Sequence, residues 1–244
     1  MPLLEVERLS RRFGGVRAVH DVSFVLEEGE LLGIMGPNGS GKTTLFNLIA
    51  GALRPDAGRI RFRGADIGGL PPHRVCAAGV ARTFQLVRPF AGLTALDNVL
   101  VGGLYGGRAR GEPVHEARRL LALVGLEGRE AVPAARLTLV DRKRLELARA
   151  LATAPRLLLL DEFMAGLNPT ETAAAMALVR RLVAEGTTVL MVEHIVWALM
   201  DLARRIVVLS AGEKIADGTP AAVAADPGVV DVYLGGDPGR RARA

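Results

Sequence analysis

Apolar positions along the chain fall into short strand-like runs first and then alternate with amphipathic stretches. Leu3, Val6 and Leu9 mark a first strand, and Val19, Val22, Phe24 and Leu26 alternate towards a turn at Glu28-Gly29. Leu31–Met35 and Leu157–Leu160 are apolar without interruption, as strands covered on both faces must be. Further strands are predicted over Ala57–Phe62, Val80–Phe84 (ending at Gln85) and Thr187–Val192, with a late pair, Arg204–Leu209 and Lys214–Ala216, around Ala211-Gly212. Helices are predicted from Lys42 to near Gly51, over Pro72–Ala78, from an N-cap at Thr94 through Val101, over Glu112–Val124 and Asp141–Ala152, near Thr170–Ala184 and from Ile195 to about Leu202. Thr219-Pro220 starts a further helix by the proline-at-first-turn rule, and Pro227–Tyr233 closes the fold. Gly102–Gly111 reads as a loop. Strands alternating with helices imply a mostly parallel sheet with helices on both faces, preceded by a more antiparallel front. Residues 86–152 read as a helical subdomain between two sheet portions.

One stretch between strand and helix has its own chemistry. Gly36-Pro37-Asn38-Gly39-Ser40-Gly41-Lys42-Thr43-Thr44 meets the pattern G-x-x-x-x-G-K-[ST] and sits between the apolar run 31–35 and Leu45–Ala50. Glycines let successive amides turn inward around an anion, and the positive end of the following helix adds to the grip. Lys42 would neutralise outer phosphates and the Thr43 hydroxyl would ligate Mg²⁺. A nucleoside triphosphate is the expected ligand.

Composition narrows the setting. Half of the 244 residues are hydrophobic, enough for a sizeable core, yet no apolar run approaches the eighteen or so that a spanning helix needs. No basic segment followed by a signal-type apolar stretch opens the chain, so no leader is expected. Cys76 stands alone, which excludes an intrachain disulfide and fits a reducing compartment. The net charge of +5 would tolerate an anionic partner, but Trp197, Tyr105, Tyr233 and seven Phe are too few aromatics for a single-strand stacking platform, and no nucleic-acid partner is expected.

Two acids follow the four leucines at 157–160. Charge at the end of a buried strand is costly unless paired or metal-bound. A strand emerging into solvent explains one acid comfortably; beside a phosphate cradle, the pair reads as machinery. Asp161 would hold the Mg²⁺ shell and Glu162 would orient or deprotonate water. Gln85, also at a strand end, could touch the metal or the water. His194 follows Met191-Val192-Glu193 at a strand's C-terminal end, where open α/β sheets keep their ligands; His20, His73 and His115 have no such placement. Phe13, between Arg12 and Gly14, is by residue type ordinary core, with base stacking as the functional alternative.

With these residues in place, almost the whole chain resembles the nucleotide-binding subunits of ATP-binding-cassette transporters, and is most similar to the branched-chain (leucine/isoleucine/valine) amino acid uptake ATPases. The motifs are the phosphate loop at 36–44, the acid strand Leu157–Glu162, Ala81-Arg82-Thr83-Phe84-Gln85, Ala165-Gly166-Leu167-Asn168-Pro169, His194 and the ending Asp226–Gly235. The resemblance implies an α/β P-loop nucleotide hydrolase with an antiparallel N-terminal portion and a helical subdomain. It implies one cassette domain over 1–244, with a catalytic core of 1–85 and 153–235, a helical subdomain of 86–152 and a basic tail of 236–244. It implies ATP and Mg²⁺ as cofactors, with Thr43, Gln85 and Asp161 on the metal, Phe13 on the base, and Glu162, Gln85 and His194 in catalysis. It further implies a second ATPase subunit paired head-to-tail in a homo- or heterodimer, permease subunits, an extracytoplasmic solute-binding protein, and a peripheral place on the cytoplasmic face of the membrane.

Two departures from that pattern stand out. Where the family carries Leu-Ser-Gly-Gly-Gln, this chain has Leu137-Thr138-Leu139-Val140-Asp141. Thr138 keeps a hydroxyl for the opposite subunit's γ-phosphate; Val140 would crowd that phosphate, and Asp141 would repel it unless offset by Arg142, Lys143 or the helix start. Phe163 replaces a proline after Glu162. The rival readings are an ATPase of a related importer for urea or amides, one of a lipid exporter, a soluble cassette acting on nucleic acid, and a P-loop kinase or GTPase. The absence of zinc modules, coiled-coil insertions and a second cassette disfavours the nucleic-acid reading, and the acid pair with a late His disfavours the last.

Overall fold

A computed structural model describes residues 2–84, 87–106 and 112–234. Strands β1 (Leu4–Phe13) and β2 (Val16–Leu26) form a hairpin, followed by β3 (Leu31–Met35), helix α1 (Lys42–Ile49), β4 (Ala57–Phe62) and the short β5 (Ala65–Asp66). β1, β2, β4 and β5 make an antiparallel sheet in the order β2-β1-β4-β5. The uneven apolar spacing in β1 has a cause: the register with β2 slips between Val6 and Leu9. Arg8 occupies a left-handed conformation there (φ 44°) and its N–H donates to Ser23 Oγ at 2.8 Å. One extra residue inverts the side-chain alternation, so Leu4, Val6 and Leu9 all reach the same core.

α2 (Pro72–Ala78) and β6 (Val80–Arg82) come next, then α3 (Ala95–Tyr105), α4 (Pro113–Leu123), a short 3₁₀ turn at Ala134–Arg136 and α5 (Leu139–Ala152). The remaining elements are β7 (Leu157–Asp161), α6 (Pro169–Ala184), β8 (Thr188–Val192), α7 (Val196–Leu202), β9 (Arg205–Ser210), β10 (Glu213–Gly218), α8 (Pro220–Ala225) and α9 (Pro227–Leu234). The second sheet runs β10-β9-β3-β8-β7-β6, parallel except for the edge strand β10. Its two faces feed two cores. Leu32 and Ile34 of β3 meet α1 (Leu45, Phe46) and the antiparallel sheet; Leu31 and Met35 meet the helices beyond the other face.

Three expectations change. α3 runs through Tyr105 rather than stopping at Val101. Gly102 does not break it, because it serves a close approach to α5: a Cβ there would lie 2.4 Å from the Arg149 carbonyl oxygen and 3.2 Å from Ala152 Cβ. The loop expected over Gly102–Gly111 is therefore helix at its start, and residues 107–111 lie outside the described residues. β6 ends at Arg82, short of Phe84, although Thr83 N–H still reaches Leu159 O at 3.0 Å. α5 begins two residues before Asp141, because Thr138 is its N-cap. Among the described residues no helix is long and apolar enough to cross a membrane.

Candidate functional site

The loop after β3 is built so that only glycine fits at its two ends. Gly36 has φ 150°, and a Cβ on it would sit 2.2 Å from Leu209 O; Gly41 has φ 106°, and its Cβ would sit 2.2 Å from Ala18 O. Neither neighbour can move away, since both are backbone of flanking strands. Gly212 N–H donates to Ser40 O at 3.1 Å and ties the loop to the β9–β10 turn. Lys42 opens α1 and is buried, with Nζ donating to Gly36 O at 2.6 Å and Pro37 O at 2.8 Å. Burial lowers its pKa, while the carboxylates of Glu162 and Asp161 pull it back up, so the acids at the end of β7 act electrostatically on the loop lysine. Asn38, Gly39 and Thr43 are exposed, whereas Ser40 is buried and Pro37 and Thr44 are half-buried.

β7 delivers Asp161 to this loop, 1 % exposed. Arg82 at the end of β6 donates to Asp161 Oδ2 at 2.7 Å and to Asn47 Oδ1 at 2.6 Å, bridging strand and α1. The other oxygen, Asp161 Oδ1, is buried with no hydrogen-bond partner among the described residues. An orphaned carboxylate oxygen and an exposed threonine hydroxyl make a hard oxygen donor set, which fits Mg²⁺. Gln85 lies outside the described residues.

Glu162 follows with φ 51°, a left-handed conformation uncommon for a residue with a side chain. Its N–H donates to Val192 O at 2.9 Å, and its Oε1 lies 2.6 Å from Nε2 of the exposed His194. The structure thus brings Asp161, Glu162 and His194 together at the C-terminal ends of β7 and β8. Beneath them lie two buried charges. Lys143 of α5 donates through Nζ to the carbonyls of Glu162 (3.2 Å) and Phe163 (3.1 Å). Glu193, 3 % exposed, accepts from Met164 N–H at 2.8 Å, and burial pushes its pKa up to about 7. Sequence reasoning missed the roles of Arg82, Lys143 and Glu193; a charged residue at a position otherwise spaced for the core was the available signal.

Phe13, expected from its residue type in the core, is 45 % exposed at the end of β1. The guanidinium of Arg11 stacks 5.1 Å from its centroid. Phe163 is buried, in the core cluster beyond the sheet. Thr138 Oγ accepts from Asp141 N–H at 3.2 Å and donates to Asp141 Oδ2 at 2.8 Å. Asp141 itself is buried and paired with Arg129 at 2.6 Å, with Arg144 at 3.8 Å. Its charge is therefore offset by Arg129, Arg144 and the helix start. The expected partners Arg142 and Lys143 point elsewhere, to Ala135 O and to the Glu162 turn. Val140 is half-buried and lines a cavity with Phe163 and Leu167, leaving Leu139, 52 % exposed, at the mouth of the helix.

Comparison with known proteins places the chain in a family. The family model for ABC transporters matches residues 19–165, and that for branched-chain amino acid ATP-binding cassette transporters matches residues 213–238. The chain is 41 % identical to the high-affinity branched-chain amino acid transport ATP-binding protein BraF of Pseudomonas aeruginosa, covering 96 % of this chain and 98 % of that one. It is 39 % identical, over the same shares, to the corresponding protein LivG of Escherichia coli. A crystal structure of the ADP conformation of an ATP-binding cassette of an ABC transporter superposes with a TM-score of 0.88 at 32 % identity, over 96 % of this chain and 99 % of that one. A dimeric cassette in a post-hydrolysis state with ADP and Pi gives 0.80 at 26 % identity, over 89 % and 98 %. With a phosphate loop, an acid pair and a histidine on one sheet edge and matches over nearly its full length, the chain belongs to the ABC transporter family, among the ATP-binding subunits related to branched-chain amino acid uptake.

Proposed function

We propose that this chain is the ATPase subunit that powers import of branched-chain amino acids through a membrane permease. The observation that carries the catalytic part is the 2.6 Å contact between Glu162 and His194, beside an Asp161 oxygen without a partner among the described residues. In this reading residues 36–44 wrap the ATP phosphates, Lys42 exchanges its loop carbonyls for the outer phosphates, and Phe13 stacks on the base. Thr43 and Asp161, with Gln85, would hold Mg²⁺, which when bound would neutralise charge on the phosphates. Arg82 keeps one oxygen of Asp161 fixed, and the other would be the one to hold the metal. Glu162 orients or deprotonates the attacking water, and His194 holds the carboxylate in place.

The closing half of the site comes from a second ATPase subunit paired head-to-tail, and Thr138 is this chain's contribution to the opposite site. Its hydroxyl proton is committed to Asp141, so contact with a γ-phosphate requires it to leave a charge-assisted bond worth about 1.5–3 kcal/mol. The single cassette is organised as the core of 1–85 and 153–235 with the helical subdomain of 86–152 beside it. Between them runs a largely apolar cleft of about 380 Å³, lined by Phe84, Phe90, Val101, Tyr105 and Arg149 among others. Its exposed rings suit a permease segment, which would hold the subunit on the cytoplasmic membrane face, with a solute-binding protein serving the permease from the other side. The test is uptake of labelled leucine and of labelled urea by cells carrying the parent chain or Glu162→Gln. Loss of leucine uptake alone is expected; loss of urea uptake with leucine uptake intact overturns the solute assignment.

A further inference from the structure

The turn that carries Glu162 is held by more than its own strand. Its backbone is left-handed at Glu162, a conformation that costs roughly 1–3 kcal/mol and persists only where neighbours enforce it. Four bonds do so. Val192 O takes the Glu162 N–H at 2.9 Å, and Ala165 N–H donates to Glu162 O at 3.1 Å. Lys143 Nζ donates to the carbonyls of both Glu162 and Phe163, and Glu193 Oε1 takes the Met164 N–H. Lys143 and Glu193 are 6 % and 3 % exposed, and Glu193 Oε2 has no hydrogen-bond partner among the described residues. Two desolvated charges are expensive, and no catalytic step requires either to touch substrate. Their common target is the three-residue turn 162–164.

Lys143 differs from Glu193 in where it comes from. Glu193 precedes His194 at the end of β8, so it moves with the sheet. Lys143 stands on α5, whose N-cap is Thr138, the residue proposed to face the partner's phosphate. A shift of α5 relative to the sheet would lengthen both lysine bonds and release the Glu162 and Phe163 carbonyls. We infer that Lys143 and Glu193 are positioning residues for Glu162, clamping its turn from helix and sheet, and that Lys143 makes the aim of the Glu162 carboxylate depend on the seating of α5. The inference rests on the reading of Glu162 as the residue acting on water.

The experiment is ATP hydrolysis and ATP binding by the full chain carrying Lys143→Met, Lys143→Arg, Glu193→Leu and Glu193→Gln, with Glu162→Gln as reference. Lys143→Met and Glu193→Leu should lower kcat roughly ten- to a hundredfold while KM and ATP affinity stay within about twofold, because neither residue touches the phosphate loop. Lys143→Arg and Glu193→Gln retain a donor and an acceptor for the same backbone atoms and should recover most of kcat. Adding Lys143→Met to Glu162→Gln should cost nothing further, since both act on one step. An unchanged kcat in Lys143→Met, or a fall without rescue by Lys143→Arg, overturns the clamp, and so does an additive loss in the double variant. Parent-like hydrolysis by Glu162→Gln instead overturns the assignment of Glu162 itself. A variant that loses ATP affinity and melts early reports a structural role and likewise counts against positioning.

Discussion

At the scale of single residues, the site combines groups that water would keep apart. Arg82 and Asp161 are paired at 2.7 Å with side chains only 10 % and 1 % exposed. Removing the arginine leaves a buried carboxylate uncompensated, so Arg82→Met should cost about 3–5 kcal/mol, measured as a lower denaturant midpoint. Glu193 gives a pH signature. Its folded pKa of about 7 lies above the ordinary value of 4.5, so the native state binds the proton more tightly than the unfolded chain. Stability from this group is present at acid pH and is lost as pH rises from about 4.5 to 7, by on the order of 3 kcal/mol at most. Glu193→Gln should therefore gain stability relative to the parent over that range; parallel stability curves for the two proteins would refute the burial argument. At the loop, Lys42→Ala should lose ATP affinity, read by nucleotide titration.

The elements show why residue identity and placement are separate questions. The capping chemistry at Thr94 with Asp97 is local and was legible from residue types, because a cap needs only neighbours three positions away; the structure adds a box of the same kind at Asn168 with Glu171. Gly102 was misread as a helix end for the opposite reason: the backbone of α5 that requires a glycine there is some fifty residues downstream. Gly102→Ala should accordingly destabilise the α3–α5 contact by about 1–3 kcal/mol in thermal unfolding. The first turn of α5 mixes both cases. Thr138 as a hydroxyl near a helix start was readable, but the commitment of that hydroxyl to Asp141, and of Asp141 to Arg129, depends on how the 3₁₀ turn and the preceding loop fold back. Restoring Gly-Gly-Gln at 139–141 removes the carboxylate that binds the Thr138 proton and the exposed Leu139. Faster hydrolysis is expected, and an unchanged rate would show that 139–141 do not tune it.

At the scale of the molecule, the antiparallel sheet, the parallel sheet and the helical layer meet around α1 and the loop before it. Ala18 of β2, Leu209 of β9 and Gly212 beyond it press on that loop from different parts of the chain. A site closed by a second subunit should respond to nucleotide by assembly. With hydrolysis blocked by Glu162→Gln, ATP should trap a dimer, alone or with a second ATPase subunit, on size-exclusion chromatography. A profile unaltered by ATP in both cases would contradict the composite site.

The linear chain by itself determined the alternation of strands and helices, the glycine loop with Lys42 and Thr43, and the acids ending a leucine strand. Each of these is encoded in neighbouring residues, through periodicity, turn geometry and the cost of burying charge. Only the tertiary structure decided that Glu162 meets His194, that Arg82 occupies one oxygen of Asp161 and leaves the other bare, and that Lys143 reaches across from α5 to hold the Glu162 turn. These contacts join residues tens of positions apart. Their existence depends on strand order and helix seating, which hydrophobic pattern constrains only to a class, and on the low-dielectric interior that penalises an unpaired buried charge.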